Sequence, residues 1–171
     1  MNGPAPLLLS PRPLEAAAFA PYGQVIEPGA ARRVLEINGG TARRFHDLAR
    51  IEPGPEGRVL VSIFQAEPRQ LPLLVTLMER HPLASQAFMP LSGRPYLVLV
   101  AAPGEELRAA SLQLFLAAPG QGVNFNPGTW HHPLLALEGP SDFLVIDREG
   151  PGNNCEERAL DQPCAIAAGR A

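Results

Sequence analysis

The stretch Gly122-Val123-Asn124-Phe125-Asn126-Pro127-Gly128-Thr129-Trp130-His131-His132-Pro133 decides the fold class. It begins as a strand, breaks at Pro127-Gly128, and resumes as strand from Trp130 to Leu137. Proline fixes φ and glycine admits backbone conformations closed to other residues, so the pair punctuates the chain. The stretch holds the only tryptophan of the chain and two of its four histidines. Asn124, Asn126, His131 and His132 are thus presented from a turn beside apolar strand. Small-molecule sites are usually built that way, with few polar groups in an apolar concavity.

The flanks repeat the pattern. Leu112 to Leu116 reads as a strand, and Pro119 to Gly122 as a turn. Tyr96 to Ala101 is apolar on both faces and reads as a central strand. Gln86 to Leu91 precedes it through Ser92-Gly93-Arg94-Pro95. Asp142 to Asp147 is the last clear strand, and the alanine-rich tail carries little information. Upstream, Val59, Val61 and Ile63 alternate with Leu60, Ser62 and Phe64, which makes Arg58 to Ala66 a strand. Leu71, Leu73, Val75 and Leu77 share one face of the next. Period two carries that face to Glu79 and His81, while Thr76 and Arg80 point the other way. Val34 to Ile37 is stopped by the turn signal Asn38-Gly39-Gly40. Arg43 to Leu48 reads as an edge strand, and Gln24 to Glu27 and Pro6 to Arg12 as short extended pieces. Leu14 to Phe19 suits a brief helix with Pro13 at its first position. Glu105 to Ala110 suits one helical turn.

Roughly ten short strands with turn residues between them predict an all-β sandwich or barrel. A cupin-like double-stranded β-helix, or jelly roll, with one or two short helices fits the size. Residues 1–171 form a single domain in this reading, with no repeat or linker. At 171 residues the chain is long enough for a proper core, and hydrophobic residues make up 46% of it.

Charge narrows the function classes. The net charge is −3, and all 14 Lys and Arg residues are arginine. The absence of a basic run argues against nucleic acid as a partner. The absence of lysine excludes a Schiff-base lysine and a phosphate-binding P-loop. Cys155 and Cys164 could make only one disulfide, so a reduced cytoplasmic protein is the simpler expectation. No apolar run is long enough to span a membrane or to serve as a signal core.

The candidate chemical groups each have an ordinary alternative. His131 is delivered to a strand start by the Pro127-Gly128 turn, and the Gly128-to-His131 spacing favours it over His132. Adjacent strand residues face opposite ways, so one of the two histidines enters a given cavity. Glu79-Arg80-His81 could be a solvated strand end, and Arg44, His46 and Asp47 a charged edge strand. Gln86 and Asn124 could satisfy turn backbone groups. Asp147-Arg148 could be a local ion pair. No Gly-x-Ser-x-Gly elbow and no paired zinc spacing occur. The residues alone stop at a small all-β domain binding a small polar ligand.

Ordered segments carry the reading further: Tyr22-Gly23 to Ile26-Glu27, Ile37-Asn38, Arg44-Phe45-His46-Asp47-Leu48-Ala49, Glu79-Arg80-His81-Pro82 and Ser85-Gln86-Ala87-Phe88-Met89-Pro90. Gly122-Val123-Asn124, Trp130-His131-His132-Pro133-Leu134, Phe143 with Ile146-Asp147-Arg148, and Asn154-Cys155 follow. Together they resemble the ureidoglycolate lyase family of allantoin (purine) catabolism, long labelled ureidoglycolate hydrolase. The chain departs from that pattern after Arg148, where the family more often has glycine, and in the loop from Gly104 to Ser111.

The resemblance implies a cupin-like barrel, a homodimer, and cleavage of (S)-ureidoglycolate to glyoxylate and urea. The substrate is a carbinolamide bearing a carboxylate. A base must take its hydroxyl proton as C=O forms, and an acid must protonate the departing urea nitrogen. On this reading His131 or His81 is the base or acid, and Glu79 or Asp47 orients or assists a histidine. Arg44 grips the carboxylate. Gln86 and Asn124 bind the ureido group, and His46 and Asp47 belong to the same substrate-binding set. Cupins often bind metal through a His-x-His…Glu segment and a later histidine. Here the later one is His131, and the first segment offers only His81 and Gln86. A divalent ion, nickel being the family's suggestion, would act as Lewis acid. Two rivals are a hydrolase releasing ammonia and a non-catalytic module that binds a small acid.

Overall fold

A computed structural model describes residues 5–167. In chain order the strands begin with β1 (Leu7–Leu9), β2 (Arg12–Pro13), β3 (Gly23–Ile26), β4 (Val34–Ile37) and β5 (Ala42–Phe45). They continue with β6 (Arg58–Ala66), β7 (Leu73–Arg80), β8 (Gln86–Pro90), β9 (Tyr96–Ala101) and β10 (Gln113–Ala117). The last are β11 (Gly122–Phe125), β12 (Trp130–His131), β13 (Leu135–Ala136), β14 (Ser141–Glu149) and β15 (Glu156–Ile166). One short helix, α1 (Ala16–Phe19), lies between β2 and β3. The fold is all-β and cupin-like.

One sheet runs β1-β15-β7-β12-β9-β10-β2, with β13 also paired to β9. The second runs β3-β11-β8-β14-β6, and β4 and β5 form a separate hairpin. The two large sheets pack face to face. Tyr96, Val98 and Val100 of β9 meet Phe88, Val123, Phe125, Phe143 and Val145 of the second sheet. Leu97, Leu99 and Ala101 point the opposite way, into another cluster with Met78, Trp130, Leu135 and Ile166. Strand β9 is thus buried on both faces, as its unbroken apolar run requires. Each fully buried Leu or Phe stabilises the fold by about 1.5–3 kcal/mol.

Several elements differ from the sequence expectations. Pro13 belongs to β2, not to the helix. The parallel pairing of Arg12 and Pro13 with β10, and a Leu14 N–H bond to the Leu116 carbonyl at 3.0 Å, hold that segment extended. The strand expected from Trp130 to Leu137 is two pieces, because the chain leaves the sheet at His132-Pro133-Leu134, where Pro133 has no N–H to donate. The helical turn near Glu105 is a 3-10 turn at Ala109–Ser111. The face of β7 also switches. Val75 and Met78 are both buried in one cluster, while Leu77 between them is 38% exposed. The switch lies opposite an irregularity of β15 between Ala159 and Cys164. No helix among the described residues is long and apolar enough to cross a membrane.

Candidate active site

Asn126-Pro127-Gly128-Thr129 forms a turn closed by the Thr129 N–H bond to the Asn126 carbonyl, at 3.1 Å. Pro127 is preset for the second position, and Gly128 takes the positive φ of 78° that the third position of a type II turn requires. The Gly128 N–H donates to the His81 carbonyl at 2.8 Å, and the Thr129 hydroxyl to the Tyr22 carbonyl at 2.9 Å. The turn is thereby tied to the end of β7, and it feeds β12 between β7 and β9. His131 pairs with Glu79 on one side and Val100 on the other. Trp130 points to the outer cluster, where Arg80 stacks on its ring at 4.6 Å. His131 points between the sheets, where its ring stacks on Phe125 at 4.4 Å and 14°. Residues paired directly across strands share a face, so Glu79 comes to the same side.

The hydrogen bonds of the two histidines fix their tautomers. His131 Nδ1 donates to the Thr129 carbonyl at 3.0 Å. His81 Nδ1 donates to the Asn154 carbonyl at 2.5 Å. A carbonyl can only accept, so each Nδ1 carries the proton and the neutral ring leaves Nε2 bare. Both Nε2 atoms are buried and lack a hydrogen-bond partner. Glu79 Oε1 stands 3.4 Å from His131 Nε2, and the two imidazole centroids are 5.1 Å apart. One ligand atom from each of Glu79, His81 and His131 lies within 4.8 Å of the others. Three acceptors therefore converge, an arrangement whose lone-pair repulsion a hydrogen-bond donor or a cation among them would relieve.

The electrostatics follow from this crowding. Burial raises the Glu79 carboxyl, but the His131 imidazole, then His81 and His132, pull it below the ordinary carboxylate value. Burial lowers His81 below an ordinary imidazole, and His131 adds to the effect against the Asn154 carbonyl and Glu79. Burial also lowers His132, with Arg69 nearby acting in the same direction.

A cavity of about 470 Å³ opens between the sheets, and Glu79, Gln86, His131, His132 and Arg69 are the polar groups of interest in its wall. Both adjacent histidines line it, contrary to the alternation expected of a strand, because β12 ends at His131 and the chain turns. His81 packs beside the His131 ring. Gln86 is buried, with its Oε1 unpartnered. Ile146 pairs with Ala87, which sets Asp147 next to Gln86. Burial raises the Asp147 carboxyl, opposed by the Gln86 side chain and the charge of His81.

Other residues predicted from sequence stand elsewhere. Arg44 is exposed on the β4–β5 hairpin. His46 is half-buried just beyond it, and its N–H bonds the Arg33 carbonyl at 3.0 Å. Asp47 is exposed at a positive φ of 57° and lines a separate hollow with Arg50 and Gln24. Asn124 is fully buried but points away from Phe125, donating to Gln24 Oε1 at 2.7 Å and to the Arg50 carbonyl at 3.0 Å. The structure thus gathers Glu79, His81, Gln86 and His131 and leaves Arg44, His46, Asp47 and Asn124 outside the cavity wall.

The family model described as ureidoglycolate lyase matches residues 6–167. The chain belongs to the ureidoglycolate lyase family. It is 52% identical over 162 residues to "Ureidoglycolate lyase" of Rhizobium etli (strain CIAT 652), covering 94% of this chain and 96% of that one. It is 50% identical over 151 residues to "Ureidoglycolate lyase" of Azotobacter vinelandii, covering 88% and 90%. A solved dTDP sugar isomerase from Desulfovibrio desulfuricans G20 aligns at 16% identity over 82% of this chain and 87% of that one, with a TM-score of 0.49.

In this ureidoglycolate lyase family member, sequence reasoning passed over three residues that shape the site. Arg69 lies in a segment read only as a connector, yet it is the arginine of the cavity wall. Phe125 is an apolar strand residue whose parity with Val123 places it inward, beneath His131. Asn154 clasps the His81 turn twice, through its carbonyl and through Oδ1, which accepts the Leu83 N–H at 2.9 Å. Of these, Phe125 left the period-two alternation as its signal and Asn154 its place in the Asn154-Cys155 segment, whereas Arg69 left none.

Proposed function

We propose that this chain is a ureidoglycolate lyase, cleaving (S)-ureidoglycolate to glyoxylate and urea. The observation that carries the reading is the convergence of His131 Nε2, His81 Nε2 and the Glu79 carboxylate at a cavity wall. The reaction breaks the bond between the carbinol carbon and a urea nitrogen. The hydroxyl proton leaves to a base as C=O forms, and the bonding pair departs with the nitrogen, which gains a proton. No water is consumed. A bare, buried Nε2 is suited to accept the hydroxyl proton, and we assign that role to His131. Glu79 favours the imidazolium that results, and His81, passing a proton from the same cluster, serves the nitrogen. Gln86 Oε1 is a free acceptor for the ureido N–H groups. Arg69 replaces Arg44 in the reading as the guanidinium for the carboxylate.

The same three residues suit a divalent transition ion. Two neutral imidazole nitrogens and one carboxylate are a common donor set, and each imidazole is oriented by a second hydrogen bond to a backbone carbonyl. Glu79, His81 and His131 would hold the ion, nickel included, and it would supply Lewis acidity toward substrate oxygens. The donor set differs from the one expected, with Glu79 standing where Gln86 was considered. Further parts of the proposal are a single domain over residues 1–171, a cytoplasmic location and a homodimer. Both cysteines are free, which suits a reducing compartment. The outer face of β6 exposes Val59, Val61 and Ile63, which suits a second copy.

The test is product analysis with (S)-ureidoglycolate, with and without a chelator. Urea and glyoxylate in equal amounts are the expected result. Ammonia in place of urea points to the hydrolase, and no turnover to a binding module. Urea release that disappears on chelation and returns with a divalent ion assigns the convergent triad to metal.

A further inference from the structure

The cavity is larger than the proposed substrate needs. About 470 Å³ lies in the range that encloses a drug-sized ligand, whereas ureidoglycolate has about nine non-hydrogen atoms, well short of that class. The surplus is not polar. Three phenylalanines form a continuous wall from the solvent-facing rim to the candidate base. Phe64 is 39% exposed at the rim. Its ring centroid is 6.2 Å from that of Phe88, Phe88 is 5.9 Å from Phe125, and Phe125 stacks on His131 at 4.4 Å. Val98 and Val123 also line the cavity. A small, strongly hydrated carbinolamide gains nothing from such a wall, because its ureido and carboxylate groups are served by Gln86 and Arg69.

We infer that the wall is a subsite for an apolar substituent on the amide side of the substrate, so that the chain also cleaves N-substituted ureidoglycolates bearing an alkyl or aryl group. This rests on the lyase reading above and extends its substrate class. The chemistry is unchanged. The bond from carbinol carbon to nitrogen breaks, its pair leaves with the nitrogen, the hydroxyl proton goes to the base, and a proton is returned to the substituted urea. No oxidant or water enters. The substituent lies along Phe125 and Phe88 toward Phe64, while the carboxylate stays with Arg69.

The experiment compares ureidoglycolate with its N′-phenyl derivative, following glyoxylate release by the wild-type chain and by Phe64→Ala. Phe64 has no role in the parent reaction as assigned above, and its partial exposure makes the variant tolerable to the fold. The expected result is a KM for the phenyl derivative about tenfold lower than for the parent, as burial of part of a ring against an apolar wall implies. Phe64→Ala raises that KM roughly fivefold and leaves parent turnover unchanged, since only the apolar contact is lost. A phenyl derivative that is not turned over, or binds no better than the parent, overturns the inference while parent turnover upholds the lyase reading. A lower KM that Phe64→Ala does not alter overturns the assignment to this wall. Failure of the parent substrate itself overturns the underlying reading instead.

Discussion

At the scale of the residue, the site is defined by where two protons are already committed. His131 and His81 each give Nδ1–H to a backbone carbonyl, so their chemistry resides in Nε2. Burial and the neighbouring His131 keep His81 below the ordinary imidazole value. Its neutral form is therefore favoured, and acid must go further to protonate it. The His81 ring, followed directly by NMR titration, is therefore expected to take up its proton below about pH 6.5, the ordinary histidine value. A midpoint at or above that value contradicts the environment described for His81. Residue types also explain what could be read beforehand. Glu79, His81 and His131 carry ionisable groups in recognisable segments. Arg69 sits among Pro68, Gln70 and Pro72, and nothing in that composition indicates that the chain folds it back to the cavity. Asn124 is the converse: an amide in a telling motif whose strand parity, opposite to Phe125, turns it away.

At the scale of the element, the Asn126–Thr129 turn does the positioning. A Cβ added at Gly128 would meet only Pro103, at 3.7 Å, so space is available. The positive φ is the obstacle, since it disfavours any residue with a side chain. Gly128→Ala is expected to cost about 1–2 kcal/mol in equilibrium denaturation. It is also expected to lower kcat by about tenfold or more, because small displacements of a reacting group are costly. Wild-type kcat with the expected loss of stability would show that the turn does not place His131. Elements with pure signals were legible in the sequence. Arg58–Ala66 and Tyr96–Ala101 were bounded as the structure has them, because alternation or unbroken apolarity is dictated by burial. Strand β15 was not read, although it is eleven residues long. Its Glu, Asp, Gln and Pro residues mask the alternation, and its irregularity opposite β7 breaks the period on which such reading depends. The same irregularity explains why Leu77 is exposed where strict period two would bury it.

At the scale of the whole molecule, two sheets enclose one cavity, and polar groups from β7, β8 and β12 meet at its wall. The order of segments along the chain revealed the family; the meeting of Glu79 with His131 needed the insertion of β12 between β7 and β9. The outer face of β6 leaves Val61 66% exposed between two other β-branched residues. Sedimentation is expected to show a dimer for the wild-type chain and a monomer for Val61→Arg, since a guanidinium on each copy cannot be buried unpaired. A wild-type monomer would contradict the proposed assembly and leave the chemistry of the site untouched. The most direct test of that chemistry is the rate of urea release from (S)-ureidoglycolate by wild type and by a folded His131→Ala variant. Loss of the group that takes the hydroxyl proton is expected to lower kcat by about 10²–10⁴-fold. Full turnover by His131→Ala would contradict the convergence of His131, His81 and Glu79 as the catalytic centre.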